Sequence, residues 1–320
     1  MPSTGAELVH IWNRCHACGA IPIIGQRFTC KTCPAGAGND LCESCYRLFE
    51  QGRIEHPSPE AREAPLGPHV FRAFEGTEKE QALPWLAVPW SDGIAPKVLD
   101  RFVVRPEFRS GRESFVGSYG FAVAAEDGKA PVMLTALHVL DELAKFRGID
   151  CFSNDTGYIA RELPQQVTGV QLHDPFAANW VLAEFGSARN MLPLSDTRIP
   201  AAEPHSQQDI AAFRIDPSSP VQPVRLATAP PAVGEPIWLA VKPERNARER
   251  TTQAVVVEIS RETFVFRFGS SGTLAIHSSG APLLNRAGEV VGINVGGGML
   301  DKQILGHAVH VASVRRHLGW

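Results

Sequence analysis

The chain contains 320 residues, of which 44% are apolar and 20% charged, and its formal net charge is −3 at pH 7. This is the composition of an ordinary globular protein, and the near balance of charges gives no indication of nucleic-acid binding. No apolar run reaches transmembrane length, and Glu7, His10, Asn13 and Arg14 interrupt the first twenty residues, so we expect neither a membrane span nor a normal signal peptide. A cytoplasmic location is therefore predicted.

Six of the seven cysteines occur as three Cys-x-x-Cys pairs between residues 15 and 45. A spacing of two residues lets both sulfurs of a pair turn towards one tetrahedral ion, and two histidines downstream raise the candidate ligands to eight, enough for two closed zinc sites. Three disulfides in a small secreted domain are the alternative, which the expected lack of an export signal disfavours. The candidate ligands are Cys15, Cys18, Cys30, Cys33, Cys42, Cys45, His56 and His69.

Residues 8–75 resemble the ZZ-type zinc finger, a cross-brace module, through motifs that include Cys15-His16-Ala17-Cys18, Asn39-Asp40-Leu41-Cys42 and His69-Val70-Phe71. The resemblance implies that the first and third cysteine pairs share one zinc ion. The second pair, with His56 and His69, would hold the other. Twelve residues separate the two histidines, which is longer than usual for the family, and His16 is the alternative ligand to His56. The module is too small for a large core, so zinc coordination is expected to drive its folding.

ZZ fingers are peptide-binding modules, and the resemblance implies a peptide ligand here as well. Asp40 matches the acidic position of the family's Asp-x-Cys, where a carboxylate could receive the ammonium group of a free N-terminus. Two other acidic positions of N-terminus readers are His16 and Gly38 in this chain. The alternative is that Asp40 only caps the local turn.

Residues 76–98 contain three prolines and two tryptophans. Prolines indicate a linker, but a disordered linker would rarely carry tryptophan, so we expect this segment to pack against one domain. The β-rich part of the chain is predicted to begin near Arg101. Residues 114–123 follow as one predicted strand, and residues 311–318 close the chain as a helix.

Three residues of the C-terminal part stand at strand ends in an arrangement that suits nucleophilic catalysis. His138 follows an apolar strand, Asp209 directly precedes another, and Ser279 lies on a Ser-Gly turn that feeds a hairpin; the gaps are 71 and 70 residues. A serine hydroxyl is a weak nucleophile near neutral pH, so a hydrolase must hold it on a sharp turn beside a base. Asp196, Asp216 and Ser271 are competitors that lack these settings.

Residues 99–320 resemble the chymotrypsin-like serine peptidases, most closely the bacterial trypsin-like branch that includes the HtrA proteases. The motifs are Thr135-Ala136-Leu137-His138, Asp209-Ile210-Ala211, Ser278-Ser279-Gly280-Ala281-Pro282 and Gly288-Glu289-Val290-Val291-Gly292-Ile293-Asn294. The resemblance implies a mainly β chain with two six-stranded antiparallel barrels and a catalytic cleft between them. His138 would be the base, Asp209 its orienting carboxylate and Ser279 the nucleophile, with no cofactor for catalysis. The predicted domains are a zinc finger over 1–75, a linker over 76–98 and a peptidase domain over 99–320.

The resemblance also assigns the oxyanion hole and the substrate pocket. The backbone N–H groups of Ser279 and His277 would form the oxyanion hole, although His277 replaces the usual glycine. Thr273 would lie at the pocket base, and Gly296 and Gly297 would leave the pocket wall open, which favours cleavage after uncharged residues. We therefore predict a serine endopeptidase whose zinc finger recruits substrate or regulates activity. The alternative is a non-catalytic peptidase-like scaffold that binds peptides.

Overall fold

The structure is a computed structural model that describes residues 9–10, 13–20, 22–30, 40–57, 69–73, 87–125, 130–140, 152–153, 157–159, 163–177, 182–193, 198–199, 209–242, 250–269, 278–300 and 303–320. The chain divides into two compact units. The first comprises Met1–Ala87 with Gly298–Gln303, and the second comprises Val88–Gly297 with Ile304–Trp320. The boundary between Ala87 and Val88 falls within the predicted linker 76–98. The predicted domain boundaries themselves stay a prediction.

The N-terminal unit consists of short strands around one helix. A two-stranded sheet pairs β1 with β2, and a three-stranded sheet has the order β4-β3-β5. Its small core centres on Ile23 and Leu41, which are fully buried, and on a stacked pair of rings, Phe28 and Tyr46, whose centroids are 3.8 Å apart. The elements are β1 (Val9–His10), β2 (Ile23–Ile24), β3 (Arg27–Cys30), β4 (Asp40–Cys42), α1 (Glu43–Glu50) and β5 (Phe71–Ala73).

The first barrel of the larger unit has six antiparallel strands in the order β12-β13-β15-β9-β8-β6, and pairing of β12 with β6 closes it. An extra strand, β7, extends the sheet beyond β6. Short strands β10, β11 and β14 form a separate three-stranded sheet. The elements are β6 (Val103–Ser110), β7 (Glu113–Val116), β8 (Gly120–Val123), β9 (Val132–Thr135), β10 (Phe152–Ser153), β11 (Gly157–Ile159), α2 (Leu163–Gln166), β12 (Gly169–His173), β13 (Glu184–Met191), β14 (Arg198–Ile199) and β15 (Ala211–Ile215).

The second barrel is closed by six strands in the order β16-β17-β18-β21-β20-β19. A C-terminal helix follows it, as predicted; its first turn is capped by the His310 ring, and it ends at Gly319, whose φ of 70° suits glycine. The elements are β16 (Pro236–Leu239), β17 (Thr252–Ile259), β18 (Thr263–Phe268), β19 (Pro282–Leu284), β20 (Val290–Leu300), β21 (Gln303–His310) and α3 (Val311–Leu318).

One continuous apolar core runs through both barrels. Strands β8, β9 and β16 are buried along their whole length, because closing a sheet and packing it on a neighbour covers both of its faces. The prediction of a mainly β chain with two six-stranded antiparallel barrels is confirmed. Within the parts of the chain that the structure covers, no helix combines the length and apolarity needed to cross a bilayer.

The prediction of one strand over residues 114–123 is wrong, because the chain turns at residues 117–119 between β7 and β8. The N–H of Gly117 donates to the carbonyl of Pro106, and the N–H of Tyr119 donates to the carbonyl of Ser279. The first bond continues the pairing of β7 with β6 by one residue, whereas the second takes the Tyr119 N–H out of the sheet. The break matters for the site because it leaves the N–H of Tyr119 to bond the turn that carries Ser279.

Residues 88–98 pack along the second barrel, which confirms for this stretch the expectation that the tryptophan-bearing segment packs against a domain. The carbonyl of Val88 accepts a hydrogen bond of 2.6 Å from Arg267, and the carbonyl of Ser91 accepts one of 2.7 Å from Gln253. Gly93 lies so close to the Trp238 ring that a Cβ would stand 2.8 Å from it. Trp85 lies outside the described residues.

Candidate active site and metal clusters

His138 lies on a short 3-10 helix, Leu137–Leu140, directly after the end of β9. The three apolar residues of this helix are buried, whereas the His138 side chain is 28% exposed. The apolar residues thus anchor the turn in the core and leave the imidazole at the surface of the barrel. A titratable ring held in this way is accessible to a ligand while its backbone is rigid.

Asp209 is brought to His138 by the register of two neighbouring strands. Strand β15 pairs with β9 so that Ala211 lies opposite Thr135. The same antiparallel register, continued by two residues, places Asp209 opposite Leu137, which directly precedes His138. One carboxylate oxygen, Oδ1, accepts the backbone N–H of His138 at 2.9 Å, and the other, Oδ2, lies 2.6 Å from Nδ1 of the ring. The Asp209 side chain is 2% exposed, so both contacts are shielded from water.

This contact decides the tautomer of His138. A carboxylate only accepts hydrogen bonds, so Nδ1 carries the proton that it donates to Asp209. Nε2 is then the ring nitrogen that can take up a proton. The structure therefore directs Nε2 of His138 away from Asp209, and the catalytic roles of the two residues stay a prediction.

Ser279 lies on a turn that fits tightly against the end of β9. Gly280 has a φ of 82°, and a Cβ at this position would lie 2.2 Å from the carbonyl oxygen of Tyr119 and 2.4 Å from Oγ1 of Thr135. Only glycine fits such a space and conformation. The N–H of Tyr119 also donates to the carbonyl of Ser279 at 3.1 Å. The turn that carries Ser279 is therefore anchored on Tyr119 and packs against Thr135, three residues before His138.

Three residues of this arrangement, Tyr119, Thr135 and Asn294, were given no individual role by sequence reasoning. Tyr119 holds the carbonyl of Ser279, and the Thr135 hydroxyl donates to the carbonyl of Tyr119 at 2.6 Å. Asn294 of β20, the strand paired with β19, contacts the turn through its side chain and its backbone. A signal was available for Asn294, because an amide within the otherwise apolar run Val290–Val295 is unusual for a buried strand.

The remaining predicted residues of the peptidase part are only partly described. Gly296 is half-buried and Gly297 is exposed, and both lie on β20. His277, Thr273 and the competitor residues Asp196 and Ser271 lie outside the described residues. The competitor Asp216 is already engaged, because hydrogen bonds from Arg189 and Ser187 hold its pKa below the ordinary value.

Four cysteines of the N-terminal unit converge on one point. The Sγ atoms of Cys15, Cys18, Cys42 and Cys45 all lie within 4.8 Å of one another, and those of Cys18 and Cys42 are 3.9 Å apart. A tetrahedral zinc ion with Zn–S bonds of about 2.3 Å requires sulfur–sulfur edges of about 3.8 Å. The donor set and its spacing therefore fit a structural zinc ion.

The pKa values of these thiols depend on burial, on the neighbouring thiols and on backbone hydrogen-bond donors. Burial and the neighbouring thiols raise the pKa of Cys45. Burial also acts to raise the pKa of Cys15, but backbone N–H donors outweigh it and lower this pKa to about 7. A divalent cation stabilises thiolates and so favours deprotonation of the whole set.

A second cluster joins Cys30, His56 and His69, whose ligand atoms also lie within 4.8 Å of one another. Sγ of Cys30 is 3.9 Å from Nδ1 of His69, and the two imidazole rings stack with centroids 4.2 Å apart. The predicted fourth ligand, Cys33, lies outside the described residues. The structure thus joins His56, and not the alternative His16, to this cluster.

Asp40 lies at the start of β4 and is engaged by three side chains. Oδ1 accepts from the Thr29 hydroxyl at 2.7 Å, while Oδ2 accepts from Asn13 at 3.2 Å and from the Arg27 guanidinium at 3.4 Å. The Asp40 side chain is 15% exposed. Its carboxylate therefore ties two strands and a loop together, and its role in peptide binding stays a prediction.

Two closed six-stranded barrels that present a His–Asp pair beside a tight Ser-Gly turn define a protein of chymotrypsin-like architecture. Residues 117–293, more than half of the 320 residues, match the family model of the trypsin-like peptidase domain. The chain therefore belongs to the trypsin-like peptidase family.

Solved protease structures show distant similarity of fold. The active form of the Rv3671c protease of M. tuberculosis is 16% identical, with a TM-score of 0.41, and the match covers 69% of this chain and 80% of that one. The serine endoprotease of Yersinia pestis is 17% identical, with a TM-score of 0.40 and coverages of 69% and 62%. The MamO protease domain of Magnetospirillum magneticum is 14% identical, with a TM-score of 0.39 and coverages of 68% and 96%. Similarity at this level says nothing about activity.

Two curated plant proteins match shorter stretches of the chain. The E3 ubiquitin-protein ligase PRT1 of Arabidopsis thaliana is 50% identical over 70 residues, which are 21% of this chain and 17% of that protein. The Auxin transport protein BIG of Oryza sativa subsp. japonica is 36% identical over 68 residues, 21% of this chain and 1% of that protein. The chain thus spans only a small part of these relatives.

Proposed function

We propose that the chain is a serine endopeptidase that hydrolyses peptide bonds with Ser279 as nucleophile, His138 as base and Asp209 as the group that orients the base. One observation carries the proposal. Asp209 bonds both the ring and the backbone of His138, while the turn bearing Ser279 packs against Thr135, three residues before that histidine. A serine, a directed imidazole and a buried carboxylate in this relation are the parts that acyl transfer requires.

In this mechanism the lone pair of His138 Nε2 takes the proton of the Ser279 hydroxyl as the oxygen attacks the substrate carbonyl. Asp209 stabilises the imidazolium that forms, because its carboxylate already accepts the Nδ1 proton. His138 then returns the proton to the leaving amine, and the acyl-enzyme is hydrolysed by water with the same base. The burial of Asp209 strengthens this interaction, since water screens it little.

The oxyanion hole and the pocket belong to the same proposal. The backbone N–H groups of Ser279 and His277 would stabilise the oxyanion, and removing one such donor typically costs about 10²–10³ in rate. Thr273, Gly296 and Gly297 would line a pocket for uncharged side chains before the scissile bond. Cleavage-site sequencing of digested casein tests this preference, and cuts confined to sites after Lys or Arg would refute it.

The N-terminal unit is proposed to be a ZZ-type peptide-recognition module held by two structural zinc ions. Bound zinc would cross-link its segments through the two clusters, with Cys33 completing the second, and would take no part in the reaction. A peptide ammonium at Asp40 would share the carboxylate with Arg27. Calorimetric titration with one peptide in free and N-acetylated form separates the roles of Asp40. Free-peptide binding that Asp40→Asn abolishes supports recognition, whereas a change in melting temperature alone supports a structural role.

A fluorophosphonate active-site probe tests the peptidase function directly. The probe reacts with an activated serine, so we expect labelling of the wild-type chain and none of Ser279→Ala. Ser271→Ala is the matched control, because Ser271 also precedes a glycine, and this variant should be labelled like the wild type. A wild-type chain that folds and is not labelled would instead indicate the peptide-binding scaffold.

A further inference from the structure

Asn294 is a buried polar residue inside an apolar strand. It is 3% exposed, and its neighbours Ile293 and Val295 are 0% and 1% exposed. Burying an amide is costly unless its polar atoms are hydrogen-bonded. Its partners therefore show what the residue does.

Among the described residues, the hydrogen-bond partners of Asn294 lie on the turn that carries Ser279. Its side-chain Nδ2 donates to the carbonyl of Ser278 at 3.1 Å and lies 2.9 Å from the Ser278 hydroxyl oxygen. Its backbone carbonyl accepts the N–H of Gly280 at 2.8 Å, and its backbone N–H donates to the carbonyl of Ala281 at 2.9 Å. Asn294 thus holds the residues on both sides of Ser279, whose own carbonyl is held by Tyr119.

These contacts divide into two kinds. The backbone contacts belong to the pairing of β19 with β20, in which Pro282 lies opposite Ile293, and any residue at position 294 could make them. The side-chain contacts depend on the amide alone, and both of them reach Ser278. Ser278 directly precedes the nucleophile and is itself 5% exposed. Its conformation therefore sets the position of both the hydroxyl and the N–H of Ser279.

We propose that Asn294 is a positioning residue for the peptidase reaction, and that its side-chain amide fixes Ser278 so that Ser279 stands at the distance and angle that attack requires. The inference rests on the proposed function of Ser279. Near-attack geometry requires reacting atoms about 3–3.5 Å apart, and misplacement by about 1 Å costs on the order of 10²-fold in rate. Because Asn294 acts on the turn, its loss affects the chemical step and leaves substrate binding nearly intact.

The maximal rate of phosphonylation by the fluorophosphonate probe, separated from the half-saturating probe concentration, tests this role in the full chain. Asn294→Asp keeps the shape of the side chain but sets a carboxylate oxygen against the carbonyl of Ser278. We expect the maximal rate to fall about 10- to 100-fold while the half-saturating concentration changes little. Ser278→Ala removes only the hydroxyl contact, and we expect a fall of about 2- to 10-fold.

Asn285→Asp is the matched control. Asn285 lies at the other end of β19, where its Oδ1 accepts the N–H groups of Ala287 and Glu289. The same amide-to-carboxylate change there keeps these acceptors and removes the Nδ2 donor, which bonds Oε2 of Glu289 at 3.0 Å. None of these contacts reaches the turn that carries Ser279, so the phosphonylation rate should equal that of the wild type. An equal loss in Asn285→Asp would overturn the proposal, because charge on the hairpin would then be responsible.

The remaining outcomes also decide between the possibilities. Wild-type maximal rates in both Asn294→Asp and Ser278→Ala would overturn the positioning role, as would a rise in the half-saturating concentration alone. If Asn294→Asp shows no cooperative melting, Ser278→Ala decides, and an unchanged rate in that variant overturns the role. Labelling of Ser279→Ala would instead refute the proposed function, so the two failures are distinguishable.

Discussion

Replacing Asp209 by asparagine tests the central contact of the site. The carboxylate accepts two N–H groups of the same residue, the backbone N–H of His138 at 2.9 Å and Nδ1 of its ring at 2.6 Å. Asparagine offers one oxygen and one NH2 group, so it can accept only one of these hydrogen bonds. The backbone N–H cannot lose its proton, whereas the ring can move its proton to Nε2. We therefore expect the oxygen to face the backbone and the NH2 group to donate to Nδ1.

His138 would then hold its proton on Nε2 and could not take one from Ser279. The imidazolium would also lose its buried carboxylate. In a triad of this kind, the loss in kcat is about 10⁴-fold, which corresponds to about 5.4 kcal/mol of transition-state stabilisation. The side-chain volume is nearly unchanged, so cooperative melting should persist. The assay is the cleavage of fluorescein-labelled casein, together with the maximal phosphonylation rate.

Asp216→Asn is the matched control for this experiment. Asp216 follows β15, whereas Asp209 precedes it, and its carboxylate is held by Ser187 and Arg189. We expect a change in melting temperature and an unchanged kcat. Asp209→Asn with a kcat within about tenfold of the wild type would refute the assigned role, because no tautomer change of this kind leaves the base intact.

The other expectations concern the turn, the metal clusters and the final helix. Gly280→Ala should abolish probe labelling and destabilise the chain by more than Gly234→Ala does. Gly234 is the matched control, because it has a φ of 84° with open space around it, so an alanine there adds only about 1–2 kcal/mol of backbone strain. Equal melting temperatures of the two variants would contradict this. Removing zinc with a chelator should abolish the amide-exchange protection of helix α1 and leave that of β9 and the probe labelling unchanged, and retained protection of α1 would contradict a structural ion. Burial lowers the pKa of His317 to about 4 from an unfolded value of 6.5. Because the unfolded chain then binds the proton first, the free energy of unfolding is highest above pH 6.5 and falls by at most about 3 kcal/mol as the pH drops towards 4. His317→Gln should flatten this part of the pH–melting curve, and parallel curves for the two proteins would refute it.

The ends of several strands and helices could be predicted because they depend on the order of apolar and polar residues within a short segment. Strand β9 ends where the apolar run ends before His138, and helix α3 spans the predicted 311–318. The break between β7 and β8 was not predicted, because residues 114–123 are apolar enough to read as one strand. At this turn the N–H of Tyr119 leaves the sheet and bonds the carbonyl of Ser279, a partner that lies far away in the sequence.

The sequence by itself determined which residues could do chemistry: a histidine at a strand end, an aspartate before a strand, a serine on a glycine turn, and cysteine pairs spaced for a metal ion. Only the tertiary structure decided which of their atoms meet. The register of β15 on β9 gives Asp209 two N–H groups of one histidine, and the register of β20 on β19 sets the Asn294 amide on Ser278. The physical reason is that local patterns govern backbone conformation, whereas contacts between residues 71 or 16 positions apart depend on strand register and packing, which no short segment encodes.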